Sequence, residues 1–321
     1  MKTSQKIIEH IKKNKQSTCV ELVDYLNISD RAVRKQLKNL IDKEVVTKIG
    51  KPPRVFYSIK EVELEEYFKI DKKKKEIIDK NYLIVTASGE KKEGLAGFVY
   101  WCKKNNLDVN SAVDDYIKAI KKYDKYKKKG VIDGGVKFKN TFDKTFLNNI
   151  YYLDFYSIER FGKTKLGQLL LYGKQSGDKK IIKEIIETIK PRIEEIVRMH
   201  KIDAVGFIPW TIKRDVQIMR ELEKGLKLSV RKIKIEKVKT EVVVPQKTLK
   251  KLSDRIENAQ KTIILTEDRK YNNVLLIDDA VGSGATLNET AKQIKEKNIA
   301  KKVIGIAITG SFKGFDVISE V

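Results

Sequence analysis

The most informative segment of the sequence is Val274-Leu-Leu-Ile-Asp278-Asp279-Ala-Val-Gly282-Ser283-Gly284-Ala-Thr286-Leu287. An apolar run leads into two acids and then into a loop rich in glycine and serine. A helical pattern follows over 287–297, with Ala291 and Ile294 on its apolar face. This order is typical of a buried strand of a parallel α/β sheet, and the loop after such a strand lies at the sheet edge where ligands bind.

The loop of this stretch has the chemistry of a phosphate site. Its two glycines allow backbone N–H groups to converge on an anion, the helix N-terminus favours negative charge, and the serine and threonine hydroxyls add donors. Two carboxylates do not suit a phosphate, but they suit the 2′ and 3′ hydroxyls of a ribose one sugar length away. The stretch therefore predicts a site for a ribose 5-phosphate.

Two other phosphate-binding motifs do not fit the chain. A Rossmann loop needs a third glycine where Leu287 stands, and its acid follows the loop by about 20 residues instead of preceding it. The segment Gly162-Lys163-Thr164 ends like a Walker loop, but Ser157 occupies the position of the first glycine.

Strands and helices alternate on both sides of the 274–287 segment. Ala204–Pro209 and Val303–Thr309 are predicted strands, and Ile181–Met199 and Val216–Leu226 are predicted helices. Pro191 is expected to kink or split the first of these helices. The alternation indicates the α/β class, with a parallel sheet flanked by helices.

This part of the chain resembles the type I phosphoribosyltransferases and, over residues 150–321, their ComF family. Three further segments carry the resemblance: Pro209-Trp-Thr-Ile-Lys213-Arg214, Pro245-Gln-Lys-Thr-Leu249 with Asp254-Arg255 and Asn258 after it, and Tyr172-Gly-Lys-Gln-Ser-Gly177-Asp178. The resemblance implies the type I phosphoribosyltransferase fold, with 5-phosphoribosyl 1-pyrophosphate (PRPP) and Mg²⁺ as ligands. The chain departs from the family because it lacks the cysteines of the usual N-terminal zinc ribbon and because its segment after Arg214 is shorter than usual.

The resemblance also implies roles for individual residues. Asp278 and Asp279 would be catalytic, holding the ribose with Mg²⁺ nearby, and Lys247 and Arg255 would be catalytic residues of a mobile loop. The residues implied to bind the 5-phosphate and the pyrophosphate are Gly282, Ser283, Gly284, Ala285, Thr286, Thr211, Lys213 and Arg214. Some purine enzymes place an aspartate base where this chain has Gly282, so the acceptor is not indicated.

The first sixty residues carry a second pattern. Three short apolar helices, the third capped by Ser29, precede the predicted strands Val45–Ile49 and Arg54–Ile59. This order resembles a winged helix-turn-helix domain over about residues 3–60 and implies double-stranded DNA as the partner, with a protein partner as the alternative. The implied DNA-binding residues are Arg31, Arg34, Lys35, Lys38, Lys51 and Arg54.

Length and composition are consistent with these two parts. A chain of 321 residues is long enough for two or three domains, and a net charge of +24 favours polyanionic partners. The predicted domains are 1–60 (winged helix), 61–148 (charged connector and mixed intermediate region) and 149–321 (PRPP-binding domain).

Two cysteines exclude a disulfide framework and two histidines make a His-rich metal site unexpected. The absence of a long apolar run predicts a soluble, cytoplasmic chain without a membrane partner, and winged-helix readers of DNA are commonly homodimers.

Two functions fit these observations. The first is a phosphoribosyltransferase that transfers phosphoribosyl from Mg–PRPP to an unidentified acceptor and releases pyrophosphate, and the basic residues of the two loops favour it. The second is a PRPP-responsive transcription regulator of the purine-repressor layout with little or no catalysis, which the winged helix and Gly282 favour. A nucleic-acid-triggered effector that consumes PRPP is a third reading.

Overall fold

A computed structural model describes residues 2–43, 45–59, 70–238 and 241–311, without the side chain of Lys247. The chain divides into two compact units, Met1–Ile70 and Asp71–Val321. Residues 61–69 of the predicted connector lie outside the described residues. None of the described helices is long and apolar enough to span a membrane.

Unit 1 is a three-helix domain with a two-stranded hairpin. Its elements are α1 (Thr3–Asn14), α2 (Cys19–Leu26), α3 (Asp30–Asp42), β1 (Val46–Lys51) and β2 (Arg54–Ile59). The hydroxyl of Thr18 accepts from the backbone N–H of Glu21, whose carboxylate accepts from the N–H of Thr18, so a capping box starts α2. The predicted cap of the third helix is confirmed, because Ser29 Oγ accepts from the N–H of Ala32 at 3.3 Å.

The core of unit 1 is apolar and small. The strands β1 and β2 pair antiparallel, with Val46 opposite Ile59, and the helices pack on the hairpin. Fully buried members include Ile7, Leu22 and Val33. In α2 the buried residues are Cys19 and Leu22, whereas the apolar side chain of Val20 is 66% exposed.

Unit 2 contains the remaining elements. The helices are α4 (Lys72–Asn81), α5 (Gly94–Lys104), α6 (Val109–Asp124), α7 (Gly135–Thr141), α8 (Lys165–Ser176), α9 (Lys179–Met199), α10 (Ile218–Leu226), α11 (Leu252–Thr262) and α12 (Ala285–Glu296). The strands are β3 (Leu83–Val85), β4 (Lys91–Glu93), β5 (Lys127–Lys128), β6 (Val131–Asp133), β7 (Asn149–Phe155), β8 (Ser157–Ile158), β9 (Gly162–Lys163), β10 (Ala204–Phe207), β11 (Arg231–Lys232), β12 (Ile235–Lys237), β13 (Ile263–Leu265), β14 (Tyr271–Val281) and β15 (Ala300–Gly310). Short 3₁₀ turns occupy Glu159–Phe161 and Gln246–Thr248.

Seven strands form the central sheet of unit 2, in the order β11-β10-β14-β15-β7-β6-β5. The first five are parallel and the last two are antiparallel additions. One face packs on α8, α9 and α10 through a large apolar cluster, and α12 packs on the sheet as well. The predicted α/β class, with a mostly parallel sheet flanked by helices and a small winged-helix domain before it, is therefore confirmed.

Two features of unit 2 differ from the sequence-based expectation. The helix α9 continues through Pro191 and is not split there, because buried isoleucines on both sides of the proline keep one apolar stripe on the sheet. The boundary expected at 148/149 falls inside unit 2. The strands β5 and β6 extend the sheet at β7, with Ile132 paired to Tyr152, so the preceding region shares this sheet.

Candidate functional sites

A cavity of about 260 Å³ lies at the carboxyl ends of β10 and β14 in unit 2. Both strands are parallel and adjacent, so the loops that follow them meet at one edge of the sheet. The polar and charged residues that line the cavity are Lys174, Thr211, Arg214, Gln217, Lys237, Gln246, Arg255, Asp278, Asp279, Ser283 and Thr286. Four of these side chains are cationic and two are acidic, so the cavity favours an anionic ligand.

The two acids occupy the end of β14. The backbone N–H of Asp279 donates to Asp278 Oδ1 at 2.8 Å, which fixes the first carboxylate against the strand. Lys174 Nζ, from α8, lies 2.8 Å from Asp279 Oδ2, and both side chains are about three-quarters or more buried. The second carboxylate is therefore paired with a lysine about 100 residues earlier in the chain.

The surroundings of the Asp278 carboxyl group change its pKa. Burial, and secondarily the neighbouring charge of Asp279, raise the pKa of Asp278 well above its ordinary value. Lys237 lines the same cavity, and its Nζ donates to Thr211 Oγ1 at 2.8 Å. Burial lowers the pKa of Lys237, and the charge of Asp278 opposes that shift. Each acid of the pair thus has a lysine close to it.

The loop after β14 adopts the conformation that its glycines allow. Gly284 has φ +86°, in the left-handed region, and stands at the N-terminus of α12. A Cβ at this position would lie 2.2 Å from the ring of Phe138, so only glycine fits. Ser283 Oγ accepts from the N–H of Ala285 at 3.3 Å. The loop therefore presents backbone N–H groups and a helix N-terminus at the cavity.

The segment after β10 and the segment before α11 complete the wall. Arg214 Nη1 donates to the backbone oxygen of Lys174 at 2.9 Å, and Gln217 Nε2 donates to the backbone oxygens of Ile212 and Arg214. Arg255 is 8% exposed, and its Nε donates to the backbone oxygen of Leu249 at 2.7 Å. These bonds hold both guanidinium groups at the cavity.

The structure brings most of the predicted site residues together. Asp278, Asp279, Arg255, Thr211 and Arg214 line the cavity with the whole 282–286 loop. Lys213 does not line it. Its side chain is exposed. The predicted role of Lys247 rests on a side chain outside the described part of the structure.

Sequence reasoning missed two cationic residues of the site. Lys174 belongs to a segment that supported the family resemblance, but no role was assigned to it. Lys237 stands in a lysine-rich stretch with no motif to distinguish it. Trp210 also lines the cavity and is 42% exposed. The sequence could have indicated Trp210, because this aromatic residue directly follows a predicted strand that ends in a proline.

The donor set of the cavity fits one kind of metal ion. Among the described residues, no cluster of three or more histidine, cysteine or acidic side chains could hold a metal by itself. The cavity offers the two carboxylates at the end of β14. Mg²⁺ commonly binds through one or two carboxylates together with waters and the phosphates of a substrate. The residues present therefore suit Mg²⁺ that arrives with a phosphorylated ligand.

Unit 1 contains the candidate nucleic-acid interface. The four predicted basic residues of α3, Arg31, Arg34, Lys35 and Lys38, are all exposed. Arg34 Nε lies 2.6 Å from Asp30 Oδ2, one helical turn before it. Lys51 and Arg54 are exposed and pair across the hairpin tip, where β1 turns into β2. Their arrangement suits contact of α3 with a groove and of the hairpin with phosphates.

Two comparisons with known proteins, one of structures and one of family models, give matches. The solved structure of a hypoxanthine phosphoribosyltransferase from Staphylococcus aureus is similar at 11% identity and a TM-score of 0.24, covering 44% of this chain and 80% of that one. A search of curated protein sequences gave no match. Residues 2–47 match the family of winged helix-turn-helix DNA-binding domains. The chain therefore begins with a winged helix-turn-helix DNA-binding domain.

Proposed function

We propose that unit 2 binds Mg–PRPP in the cavity at the end of β14 and transfers its phosphoribosyl group to an acceptor, as a ComF-like phosphoribosyltransferase. This proposal rests on two features that lie together at the end of β14, the glycine loop and the acid pair. A left-handed glycine loop at a helix N-terminus suits a phosphate, and the acid pair Asp278–Asp279 directly before it suits a ribose diol.

The distribution of charge around the cavity supports a ligand with a second anionic group. Arg214 comes from the segment after β10, Lys237 from β12 and Arg255 from α11, and all three line the same cavity as the acid pair. These three cations belong to different elements and are distant in sequence from the 282–286 loop. They are suited to a pyrophosphate group at the other end of the sugar.

The proposed reaction breaks the bond between C1 of the ribose and the pyrophosphate oxygen and forms a bond from C1 to the acceptor. The electron pair of the broken bond leaves with pyrophosphate. Positive charge develops on the ribose, and the nearby carboxylates of Asp278 and Asp279 stabilise it. The 5-phosphate, held by the 282–286 loop, orients C1 with binding energy from a part of the substrate that does not react. Mg²⁺, when bound, neutralises charge on the departing pyrophosphate.

Asp279→Asn tests the proposed reaction. We expect it to reduce pyrophosphate release from PRPP by about 10²–10³-fold, the usual effect of removing one electrostatic contact to a transition state. Lys183→Met, an exposed change on α9 away from the cavity, is the matched control. Pyrophosphate release at the wild-type rate in Asp279→Asn would contradict the assignment.

A second candidate function has an observation of its own. The chain carries a DNA-binding domain, residues 2–47, and Gly282 stands where an acidic base would be expected in a purine enzyme. A PRPP-responsive transcription regulator with little or no catalysis accounts for both features. In that case PRPP would change DNA affinity by about 5–150-fold, an ordinary allosteric coupling. DNA mobility shifts with and without Mg–PRPP separate this function from the first.

A further inference from the structure

A partly buried lysine lies at the end of β15, the strand next to β14, and is not used by the chemistry above. Lys137, on α7, is half-buried, and its ammonium donates to Ser311 Oγ at the end of β15. Within the described part of the chain, no carboxylate pairs with it. An ammonium group withdrawn from water without an anion is unfavourable, so this position suits an anion supplied by a ligand.

The contacts of α7 place Lys137 next to the loop that follows β14. The backbone N–H of Ser311 donates to the backbone oxygen of Val281 at 3.2 Å, and Val281 directly precedes Gly282. The following residue of α7, Phe138, packs its ring against Gly284 at the other end of the loop. Phe138 thus contacts the loop itself, and Lys137 contacts Ser311, which is hydrogen-bonded to the residue before the loop.

Thr309, near the end of β15, is fully buried, and its Oγ1 has no hydrogen-bond partner among the described residues. Buried hydroxyl groups normally have a partner. Lys137 has a hydroxyl partner in Ser311 but no anionic one within the described part of the chain. A cation in this state at the end of the sheet where the phosphate loop begins points to an anionic ligand group.

We propose that Lys137 is the fixed cation that binds the phosphate of a ribose 5-phosphate group held by the 282–286 loop. The proposal rests on the proposed function and adds a charged residue to its 5-phosphate site. Backbone N–H groups orient the phosphate oxygens, and Lys137 supplies the positive charge that the loop itself lacks. Burial lowers the pKa of Lys137 to about 8, and an adjacent phosphate would oppose that shift.

Calorimetric titration with two ligands tests the role of Lys137. We expect Lys137→Met to weaken binding of ribose 5-phosphate by about 10–100-fold, the loss of one hydrogen bond to a charged group. Binding of Mg–pyrophosphate, which has no 5-phosphate, should stay within about twofold. Lys139→Met, an exposed change on the same helix, should leave both affinities unchanged, and Lys137→Arg should retain most of the ribose 5-phosphate affinity.

Unchanged affinity for ribose 5-phosphate in Lys137→Met, or an equal loss for both ligands, would overturn the role of Lys137. The first result means no contact and the second means a structural role. A wild-type chain that binds neither ribose 5-phosphate nor Mg–PRPP would instead overturn the proposed function. The failures of the two proposals are therefore distinguishable.

A measurement on the wild-type chain keeps the test valid if the methionine variant does not fold. Lysines are acetylated with acetic anhydride, and modification at each position is read by mass spectrometry. Ribose 5-phosphate should protect Lys137 and leave Lys139 equally modified, whereas ribose without phosphate should protect neither. Equal modification of Lys137 with and without ribose 5-phosphate would overturn the proposal.

Discussion

Gly284→Ala tests the packing on which the phosphate loop depends. Gly284 has φ +86°, a conformation that costs a residue with a Cβ about 1–2 kcal/mol. The new Cβ would also lie 2.2 Å from Cζ of Phe138. That ring is fully buried and packs on Phe142 with 5.5 Å between ring centroids, so it has little room to move.

The overlap adds the cost of overpacking, about 1–3 kcal/mol. We therefore expect Gly284→Ala to lower the free energy of unfolding of unit 2 by about 2–5 kcal/mol in total. Ligand affinity should fall as well, because the loop must shift its N–H groups to relieve the overlap. Both tryptophans of the chain, Trp101 and Trp210, belong to unit 2, so tryptophan fluorescence in urea follows the unfolding of this unit.

Gly89→Ala is the matched control. Gly89 has φ +80°, but no heavy atom lies within 4 Å of its Cβ position. Its substitution should show the conformational cost alone, about 1–2 kcal/mol. If Gly284→Ala is no more destabilising than Gly89→Ala, the packing of Phe138 beneath the loop does not constrain it, and the reasoning is refuted.

Three further predictions concern other parts of the chain. Lys51→Ala should reduce the slope of log affinity for duplex DNA against log salt concentration by about 0.9, the value for one lost phosphate contact; an unchanged slope would place Lys51 off the DNA. Burial raises the pKa of Cys19 and of Cys102 to about 11, so neither thiol should react with a disulfide reagent at pH 8 until the protein unfolds. Burial lowers the pKa of Lys137 to about 8 from its ordinary 10.5. Between these two pH values Lys137 is protonated in the unfolded chain but not in the folded one, so the free energy of unfolding rises with pH. Urea unfolding from pH 7 to pH 10 should show the wild type gaining about 1–2 kcal/mol relative to Lys137→Met.

The strand β14, the loop after it and the helix α12 could be predicted because the residues that determine them are adjacent in the sequence. The apolar run, the acid pair and the glycine loop are contiguous, so periodicity and backbone preferences identify β14, the loop and α12 without knowledge of the fold. The same holds for unit 1, where Ser29 marks the start of α3 by its own hydroxyl. In both places the residues that decide the local conformation are neighbours in the sequence.

The parts that sequence reasoning missed depend on contacts between distant residues. Lys174 pairs with Asp279, about 100 residues later, and Phe138 packs beneath Gly284. No local pattern encodes either contact. The strands β5 and β6 have two and three residues, too few for a periodic signal, and they are strands only because β6 pairs with β7.

Pro191 and Lys213 show what a local pattern does not determine. Pro191 does not split α9, since the apolar stripe before and after it stays buried against the sheet and outweighs the missing hydrogen bond. Lys213 was assigned to the pyrophosphate together with its neighbour Arg214, and of the two only Arg214 lines the cavity. The role of Lys213 stays a prediction.

The proposed PRPP site of the acid pair and the glycine loop is tested by one titration. Purified chain is titrated calorimetrically with Mg–PRPP, beside the double variant Asp278→Asn/Asp279→Asn. We expect the wild type to bind in the micromolar range, about −8 kcal/mol, and the double variant to lose this binding. Absence of Mg–PRPP binding in the wild type, or equal binding in both proteins, would rule out the site.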